Sequence, residues 1–162
     1  MKLDIRPANI NDLAEITFIE TSCFPKEEAA TEESFAHRLK TFTKSFYVGY
    51  VEDKMVCIIN GCVTNSKTIF DDLYHDSTLH NDENDYQAIF GLCTLPEYQK
   101  NGLAEQIMQF FIEDSKKRGK KGIILTCKDK LISYYEKFGY KNLGVSNSVH
   151  GGAVWYDMII EF

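Results

Sequence analysis

Positive charge is scarce in this chain of 162 residues, where 18 Lys and Arg face 24 Asp and Glu and leave a net charge of −6. Nucleic-acid backbones are bound by basic surfaces, so this composition argues against a nucleic-acid partner. Long apolar runs are also missing, since no stretch approaches the roughly 20 residues of a membrane span. The N-terminal stretch MKLDIRPANINDL carries acidic residues early and has no apolar core, which does not fit a secretory signal.

What is present is an ordinary globular composition, with 44% hydrophobic and 26% charged residues. A chain of this length is large enough to bury one sizeable core, so we expect residues 1–162 to form a single domain. We expect a cytoplasmic protein without a membrane partner. The sequence does not distinguish a monomer from a homodimer.

Cysteine is present in a pattern that excludes its usual structural uses. The five residues, Cys23, Cys57, Cys62, Cys93 and Cys127, are odd in number, scattered and mostly inside apolar segments. A disulfide framework needs paired cysteines, and a zinc site needs ligands at close spacing. We therefore predict reduced, buried thiols and no metal centre.

Hydrophobic periodicity and capping residues predict the order β-α-α-β-β-(loop)-β-α-β-α-β-β. The first half comprises an edge strand at 3–8, a helix capped by Asn9 or Asn11 and running to about Cys23, a helix from Thr31 to about Phe42, strands at 45–53 and 54–64 that turn at Asp53–Lys54, and a surface loop from Asn65 to Asp85 with at most one helical turn. The second half comprises one strand at 86–95, a helix from 103 to before Gly119, a strand at 122–127, a helix from Asp129 to near Gly139, and final strands at 140–149 and 153–161. Such an order predicts the α/β class, in a mixed α+β arrangement with helices on the faces of a mixed sheet.

The stretch EYQKNGLAEQIMQFF, residues 97–111, lacks a residue that would cap its helix. An amphipathic helix begins after Gly102, yet no Ser, Thr or Asp immediately precedes it to accept from its free amides. Glycine lets a backbone approach a ligand closely, and the helix dipole favours an anion beside residues 100–105. Ala104 keeps the next turn small beside a phosphate group. From these residues alone, a diphosphate site and a helix capped by water are equally good interpretations.

Two motifs give the chain a family resemblance. Residues 99–104 read Q-x-x-G-x-A and resemble the acyl-CoA motif of the GNAT N-acetyltransferases, and YYEKFGY at 134–140 resembles their second signature. The resemblance implies a central mixed, mostly antiparallel sheet of six to seven strands, about four flanking helices, and acetyl-CoA as cosubstrate. It implies that the pantetheine arm is lined by Leu92, Cys93 and Thr94, that the pyrophosphate is held by Gln99, Lys100, Asn101, Gly102, Leu103 and Ala104, and that Lys100 and Lys137 are candidates for contacts with the phosphates.

Within that superfamily the chain is most similar to the arylalkylamine N-acetyltransferases. The stretches that carry this similarity are IETSCFPKEEAATEESF, FYVGYVEDKMVCIINGCV and LTCKDKLISYYEKFGYKNLG. It implies that Tyr135 is the general acid, because a phenol can donate a proton to the sulfur of CoA while uncharged at pH 7. It also implies that Phe24, Pro25 and Trp155 surround the acceptor amine.

The general base is less well marked. The two strand histidines that relay a proton in that subgroup are replaced here by Ala88 and Phe90, neither of which titrates. The substitutes that the sequence offers are His150, Tyr86, Asp71, Asp72 or ordered water. Histidine has the unperturbed pKa nearest neutrality, which makes His150 a candidate. We expect it on a strand beside Gly151 and Gly152, where a histidine is more often structural or solvent-facing, so it is a weak candidate. His75 and His80 lie in the acidic segment and are expected on its surface, not around a metal.

The sequence thus predicts an N-acetyltransferase that acts on a small primary amine, either aromatic or polyamine-like. We expect direct transfer within a ternary complex, without an acyl-enzyme and without a metal. Two alternatives stay open at this point. One is acetylation of protein N-termini or lysines on the same scaffold, and the other is an acyl-CoA-binding protein with impaired catalysis, which the replaced histidines suggest.

Overall fold

The computed structural model describes all 162 residues, and the chain contains nine strands and five α-helices. The strands are β1 (Asp4–Pro7), β2 (Phe46–Val51), β3 (Lys54–Asn60), β4 (Val63–Thr64), β5 (Tyr86–Ala88), β6 (Gly91–Thr94), β7 (Gly122–Cys127), β8 (Lys141–Val145) and β9 (Tyr156–Glu161). The helices are α1 (Leu13–Cys23), α2 (Glu32–Thr41), α3 (Asp72–His75), α4 (Leu103–Lys117) and α5 (Ile132–Glu136). The mixed α+β class expected from the sequence is confirmed.

The strands form a four-stranded sheet of order β1-β2-β3-β6 and a five-stranded sheet of order β4-β5-β7-β9-β8. Only β5 and β7 pair in parallel, and the other neighbours are antiparallel. The two sheets meet end to end, because the amide of Ala88 donates to the carbonyl of Cys62 and that of Phe90 donates to Asn60. The larger hydrophobic core lies around the first sheet, α1, α2 and α4.

Local sequence signals place the first helices where they were expected. Asn9 caps a short 3₁₀ turn that leads into α1, with Asp12 completing a capping box, and α1 ends at Cys23 before Phe24 and Pro25. The side chain of Thr31 accepts from the amide of Ser34 at 3.1 Å and begins α2.

The expected single strand at 86–95 is wrong, because it is divided into β5 and β6. The expected strand at 54–64 is likewise divided, into β3 and β4. The chains cross closely at this point: a Cβ on Gly61 would lie 1.7 Å from the carbonyl oxygen of Ala88. These two interruptions raise the number of strands from the expected seven to nine. The pairing register changes by one residue between the β3–β6 pair and the β4–β5 pair, where the sheets join.

The segment between β4 and β5 is more than the surface loop that was expected. It contains α3 and a 3₁₀ turn at Ser77–Leu79, and α3 supplies the fifth helix. Ile69 and Leu73 are buried in a second hydrophobic cluster with Phe42, which follows α2, and with residues of β5, β7 and β9. The segment is therefore a packed cover over one end of the second sheet.

Two smaller corrections concern turns. The β2–β3 hairpin turns at Glu52–Asp53, with Glu52 at φ 55°, so Lys54 already lies in β3. The last two strands are shorter than expected, and residues 146–155 form a loop with a 3₁₀ turn at His150–Gly152. His150, which was expected on a strand, lies in this loop because Gly151 and Gly152 adopt left-handed conformations that turn the chain.

All five cysteines are free thiols, four of them buried. No helix reaches the length and apolar character that crossing a membrane requires.

Candidate active site

A cleft opens where two neighbouring strands diverge. β5 pairs with β7 up to Ala88 opposite Ile124, and the amide of Ile89 donates to the Ile124 carbonyl at 2.9 Å. Beyond that bond β6 pairs only with β3, while the rest of β7 pairs only with β9. The divergence leaves a cavity of about 500 Å³ between them. Seven residues expected at the site line it, namely Phe24, Pro25, Leu92, Gln99, Tyr135, His150 and Trp155.

The backbone of β6 presents an unpaired edge to this cleft. The Leu95 amide donates to the Val56 carbonyl at 2.8 Å. Along β6 the backbone groups of successive residues then point alternately towards β3 and away from it. By that alternation Cys93 directs its amide and carbonyl at β3, whereas Leu92 and Thr94 direct theirs into the cleft. The Thr94 carbonyl already accepts from Gln99 Nε2 and Cys23 Sγ, each at 3.1 Å. An extended ligand therefore finds its backbone partners at Leu92 and at the Thr94 amide.

The turn after β6 collects unpaired amides at the start of α4. Lys100 and Gly102 both adopt left-handed conformations, with φ of 64° and 76°. No side chain caps the helix, and the amides of residues 100–102 donate no backbone hydrogen bond. The next three amides, in the first helical turn, have no acceptor four residues earlier in the helix. Asn101 Nδ2 donates to the carbonyls of Tyr98 and Gln99, each at 3.1 Å, and fixes the turn in this shape.

These amides and the helix dipole make an anion site. Leu103 is buried and anchors the turn to the core, whereas Ala104 places only a methyl group beside it. Lys100 and Lys137 are exposed and take part in no ion pair, so both remain free for phosphate oxygens.

Tyr135 lies on α5 and faces the cleft. Its ring packs edge-on against Tyr134 and Tyr140, with centroid distances of 5.2 and 5.9 Å. Burial raises the pKa of its phenol, with smaller contributions from neighbouring groups, so the hydroxyl keeps its proton at neutral pH. Tyr134 does not line the cleft, and its buried hydroxyl has no hydrogen-bond partner. The two adjacent tyrosines therefore have separate environments.

Sequence reasoning missed a carboxyl group in the same cleft, that of Glu20. The side chain is 5% exposed and projects from α1, and its Oε2 accepts from the Ala30 amide at 2.8 Å. Burial raises the pKa of this carboxyl, although the Ala30 amide and the charge of Arg38 oppose the shift. The overlooked signal was that Glu20 shares the apolar face of α1 with Ile16 and Ile19, where a charged residue is unusual.

Aromatic and loop residues close the opposite wall. Trp155 Nε1 donates to the His150 carbonyl at 2.8 Å, and the His150 ring stacks on Tyr74 at 4.7 Å. His150 Nε2 lies 2.9 Å from the Glu28 carbonyl, which requires a proton on Nε2 and leaves Nδ1 as the basic nitrogen. Phe24 and Pro25 complete this wall from the α1–α2 loop.

The other substitutes for the base lie outside the cleft. Tyr86 donates to Glu161, and Asp71 accepts from Ser148 and the Val149 amide, while Asp72 belongs to the exposed face of α3. His80 is held between the Val63 amide and Asp82, and His75 is exposed, so these two do not converge. No group of three or more His, Cys, Asp or Glu side chains is placed to hold a metal ion.

A sequence profile of the acetyltransferase (GNAT) domain matches residues 13–162. No curated protein matches the chain at a significant level.

Solved structures with the same fold cover nearly the whole chain. The loading GNATL domain of CurA from Lyngbya majuscula has a TM-score of 0.83 at 14% identity, covering 99% of this chain and 98% of that one. The ribosomal-protein-S18-alanine N-acetyltransferase from Escherichia coli has a TM-score of 0.74 at 17% identity, with coverage of 99% and 94%. The PaiA N-acetyltransferase from Thermoplasma acidophilum, in complex with coenzyme A, has a TM-score of 0.73 at 14% identity, with full coverage of both chains. At such identities these likenesses establish the fold.

The anion site can be tested with a pair of glycines at the two ends of α4. Gly102 and Gly119 both have positive φ, and a Cβ on either would meet nothing within 4 Å. Gly102→Asp should lower acetyl-CoA affinity by about 100-fold or more, because it sets a carboxylate among the amides that bind phosphate. Gly119→Asp carries the same backbone strain and should leave the affinity close to wild type. Equal affinities of the two variants in titration calorimetry would rule out this cradle.

Proposed function

This chain belongs to the acetyltransferase (GNAT) domain family, and on that premise we propose that it transfers the acetyl group of acetyl-CoA to a small primary amine. The cosubstrate fits the residues around the cleft. The amides of residues 100–105 suit a pyrophosphate, and the open edge of β6 at Leu92 suits the amide groups of a pantetheine arm. Acetyl-CoA supplies the acetyl group as an activated thioester.

The cleft is closed on one side by two loops that pack together, and this closure is the main support for a small acceptor. His150 Nε2 bonds to the Glu28 carbonyl at 2.9 Å, which ties the loop before β9 to the α1–α2 loop. Lys128 Nζ pairs with Glu28 at 2.8 Å, and a Cβ on Gly151 would lie 2.6 Å from the Glu28 side chain. A peptide acceptor needs an open groove between these loops. Their close packing favours a small molecule.

The lining of the cleft supports an aromatic acceptor, as in the arylalkylamine subgroup. Phe24, Tyr74, Phe90 and Trp155 all contribute rings to its wall. Aromatic rings hold a flat ring by stacking and edge contacts at little entropic cost. A polyamine is the other acceptor that the sequence allowed, and it would gain little from these rings.

Glu20 and Tyr135 are suited to the two proton transfers. Glu20 accepts a proton from the amine, because its buried carboxylate is more basic than an exposed one. Tyr135 keeps its own proton and donates it to the leaving sulfur. His150 is a second candidate for the base through Nδ1, since it lines the same cleft.

Direct transfer is favoured over an acyl-enzyme because two of the three cysteines nearby are buried thiols with raised pKa values, and the third holds its proton in a hydrogen bond. Burial raises the pKa of Cys127 to about 11. Cys93 is buried, and its pKa is raised by the neighbouring Cys23 thiol and by burial. Cys23 lines the cleft, and its hydrogen bond with the Cys93 thiol lowers its pKa. Its own thiol proton is held by the Thr94 carbonyl, to which Sγ donates at 3.1 Å. A thiolate is required for attack, so the amine itself is the expected nucleophile.

Acceptor class is tested by measuring CoA-thiol release with a pooled panel of small primary amines and, in parallel, with peptides that carry free N-termini and lysines. We expect turnover with small amines and little with peptides, because the closed cleft excludes a chain. A preference for peptides would make this a protein acetyltransferase. Tight acetyl-CoA binding without turnover on any acceptor would make it an acyl-CoA-binding protein.

Tyr135→Phe should lower kcat by about 100-fold or more, since general acid catalysis contributes on that order. Acetyl-CoA affinity should change little, because the hydroxyl binds no phosphate. Tyr134→Phe removes the neighbouring hydroxyl, which has no partner and lies outside the cleft, and it should retain wild-type turnover. If both variants turn over like the wild type, the proton comes from another group.

Glu20→Gln should lower kcat/KM at pH 7 by about 100-fold or more if the carboxylate is the base. Burial raises the Glu20 pKa, so wild-type activity should rise with pH as the carboxylate forms, above the range of an ordinary glutamate. The deficit of the variant should shrink towards pH 9 to 10, where more of the amine is already neutral. Glu15→Gln, on the exposed face of α1, is the matched control. A pH profile that changes only in His150→Gln would transfer the role to His150.

A further inference from the structure

Arg38 is a buried cation without a carboxylate partner. Its side chain on α2 is 6% exposed, and its two hydrogen bonds go to neutral acceptors, Asn60 Oδ1 at 2.9 Å and the Tyr74 carbonyl at 3.2 Å. The rings of Phe35 and Phe90 lie 5.5 and 4.8 Å from the guanidinium carbon. Arg38 takes part in none of the ion pairs of the structure.

A cation buried in this way costs free energy unless it is paired. Among the surrounding groups, the carboxyl of Glu20 contributes most to stabilising the charge of Arg38. Even so, no nitrogen of Arg38 comes within 4 Å of a Glu20 oxygen. The protein therefore keeps a guanidinium and a carboxyl in one region without joining them. Such an arrangement is explained if a ligand bridges them.

One buried polar atom beside Arg38 lacks a hydrogen-bond partner. Asn60 is 1% exposed, and its Nδ2 has no hydrogen-bond partner, while its Oδ1 is held by Arg38. A Cβ built on Gly91 would lie 3.4 Å from Asn60 Nδ2 and 3.6 Å from Glu20 Oε1. An amide donor and a carboxyl oxygen thus face one point beside β6, at the mouth of the divergence.

The cavity beside this point leads from the cleft to Arg38. It measures about 120 Å³, and its polar lining comprises Glu20, Glu28, Thr31, Ser34, Arg38, His75 and His150. It shares Glu20, Glu28, Tyr74, Phe90 and His150 with the larger cleft. The charge of Glu28 is paired with Lys128 at 2.8 Å. A cavity that holds a single water needs about 10 to 15 Å³, so this cavity is large enough for a carboxylate group. The Ser34 hydroxyl, which accepts from that of Thr31 at 3.1 Å, adds a donor that suits a carboxylate.

We propose that the acceptor is an amino acid, whose amino group is held at Glu20 and whose carboxylate is bound by Arg38. This proposal rests on the proposed acetyl transfer and narrows its substrate class. The carboxylate supplies the negative charge that the guanidinium lacks, and Arg38 suits it because a guanidinium can donate to both carboxylate oxygens. The side chain of the amino acid then points back into the ring-lined cleft.

The same geometry disfavours the other small amines. A polyamine would bring a second cation beside the guanidinium, and like charges repel strongly in a buried site. A simple arylalkylamine would bind at Glu20 but leave Arg38 uncompensated. The presence or absence of one carboxylate is therefore the feature on which the acceptors should be ranked.

The test compares matched pairs that differ in that carboxylate alone: phenylalanine with phenethylamine, tyrosine with tyramine, and ornithine with putrescine. CoA-thiol release is measured with the wild-type protein at saturating acetyl-CoA. We expect kcat/KM to be about 10- to 100-fold higher for the amino acid in at least the aromatic pairs, as charge-assisted hydrogen bonds contribute on that scale. Arg38→Gln should remove this preference, and Lys40→Gln, on the exposed face of α2, should keep it.

The outcomes separate the inference from the function beneath it. Amino acids preferred by the wild type, with the preference lost in Arg38→Gln, support the proposal. Equal or higher kcat/KM for the decarboxylated partners overturns it while acetyl transfer to amines stands. No acetylation of either class, with acetyl-CoA still bound, overturns both. A preference for amino acids that persists in a folded Arg38→Gln overturns the role of Arg38, and thermal denaturation reports whether that variant folds. If it does not fold, the wild-type comparison still tests the substrate class.

Discussion

The hydrogen bond from Ile89 to Ile124 is the last bond between the middle strands, and the site depends on their separation beyond it. β6 continues along β3 and β7 continues along β9, so the two strands separate without any loss of pairing on their outer sides. The separation leaves unpaired backbone groups at Leu92 and Thr94 and a cavity that side chains from both sheets line. Backbone groups in such a position need partners, and an extended ligand with amide groups can supply them.

The two halves of the site differ in electrostatic character. At the start of α4, unpaired amides and the helix dipole attract anions, although the chain as a whole is negative. Beyond β6, a carboxyl and a guanidinium lie in one buried region and suit a ligand that carries both charges. Tyr135 lines the cleft with a phenol that burial keeps neutral. The cosubstrate and the acceptor would thus enter from different ends and meet where the strands part.

The sequence predicted those parts of the site that are encoded locally. The uncapped helix after Gly102 and the YYEKFGY block occupy short, continuous stretches, and their turn and helix chemistry can be read from neighbouring residues. The capped starts of α1 and α2 were predicted for the same reason. The division of residues 86–95 was missed, because it arises from a close approach to Gly61 that no local pattern signals.

The acceptor side was missed for a related reason. Glu20, Arg38, Asn60 and Gly91 come from α1, α2, β3 and β6, and only the packing of these elements brings them together. Each residue read alone has an ordinary explanation, such as an exposed face of a helix or a strand end. Glu20 on an apolar face was the one local clue, and His150 was misplaced because paired glycines end the expected strand early.

The central claim is that this divergence and the turn after it hold acetyl-CoA, and amide hydrogen exchange tests it most directly. Exchange rates are compared for the protein alone and with saturating acetyl-CoA, resolved to single residues by NMR. With acetyl-CoA bound, we expect slower amide exchange at Leu92, Thr94 and residues 100–105, and little change on the outer strands β1 and β8. Protection that spares these amides and falls elsewhere would contradict it.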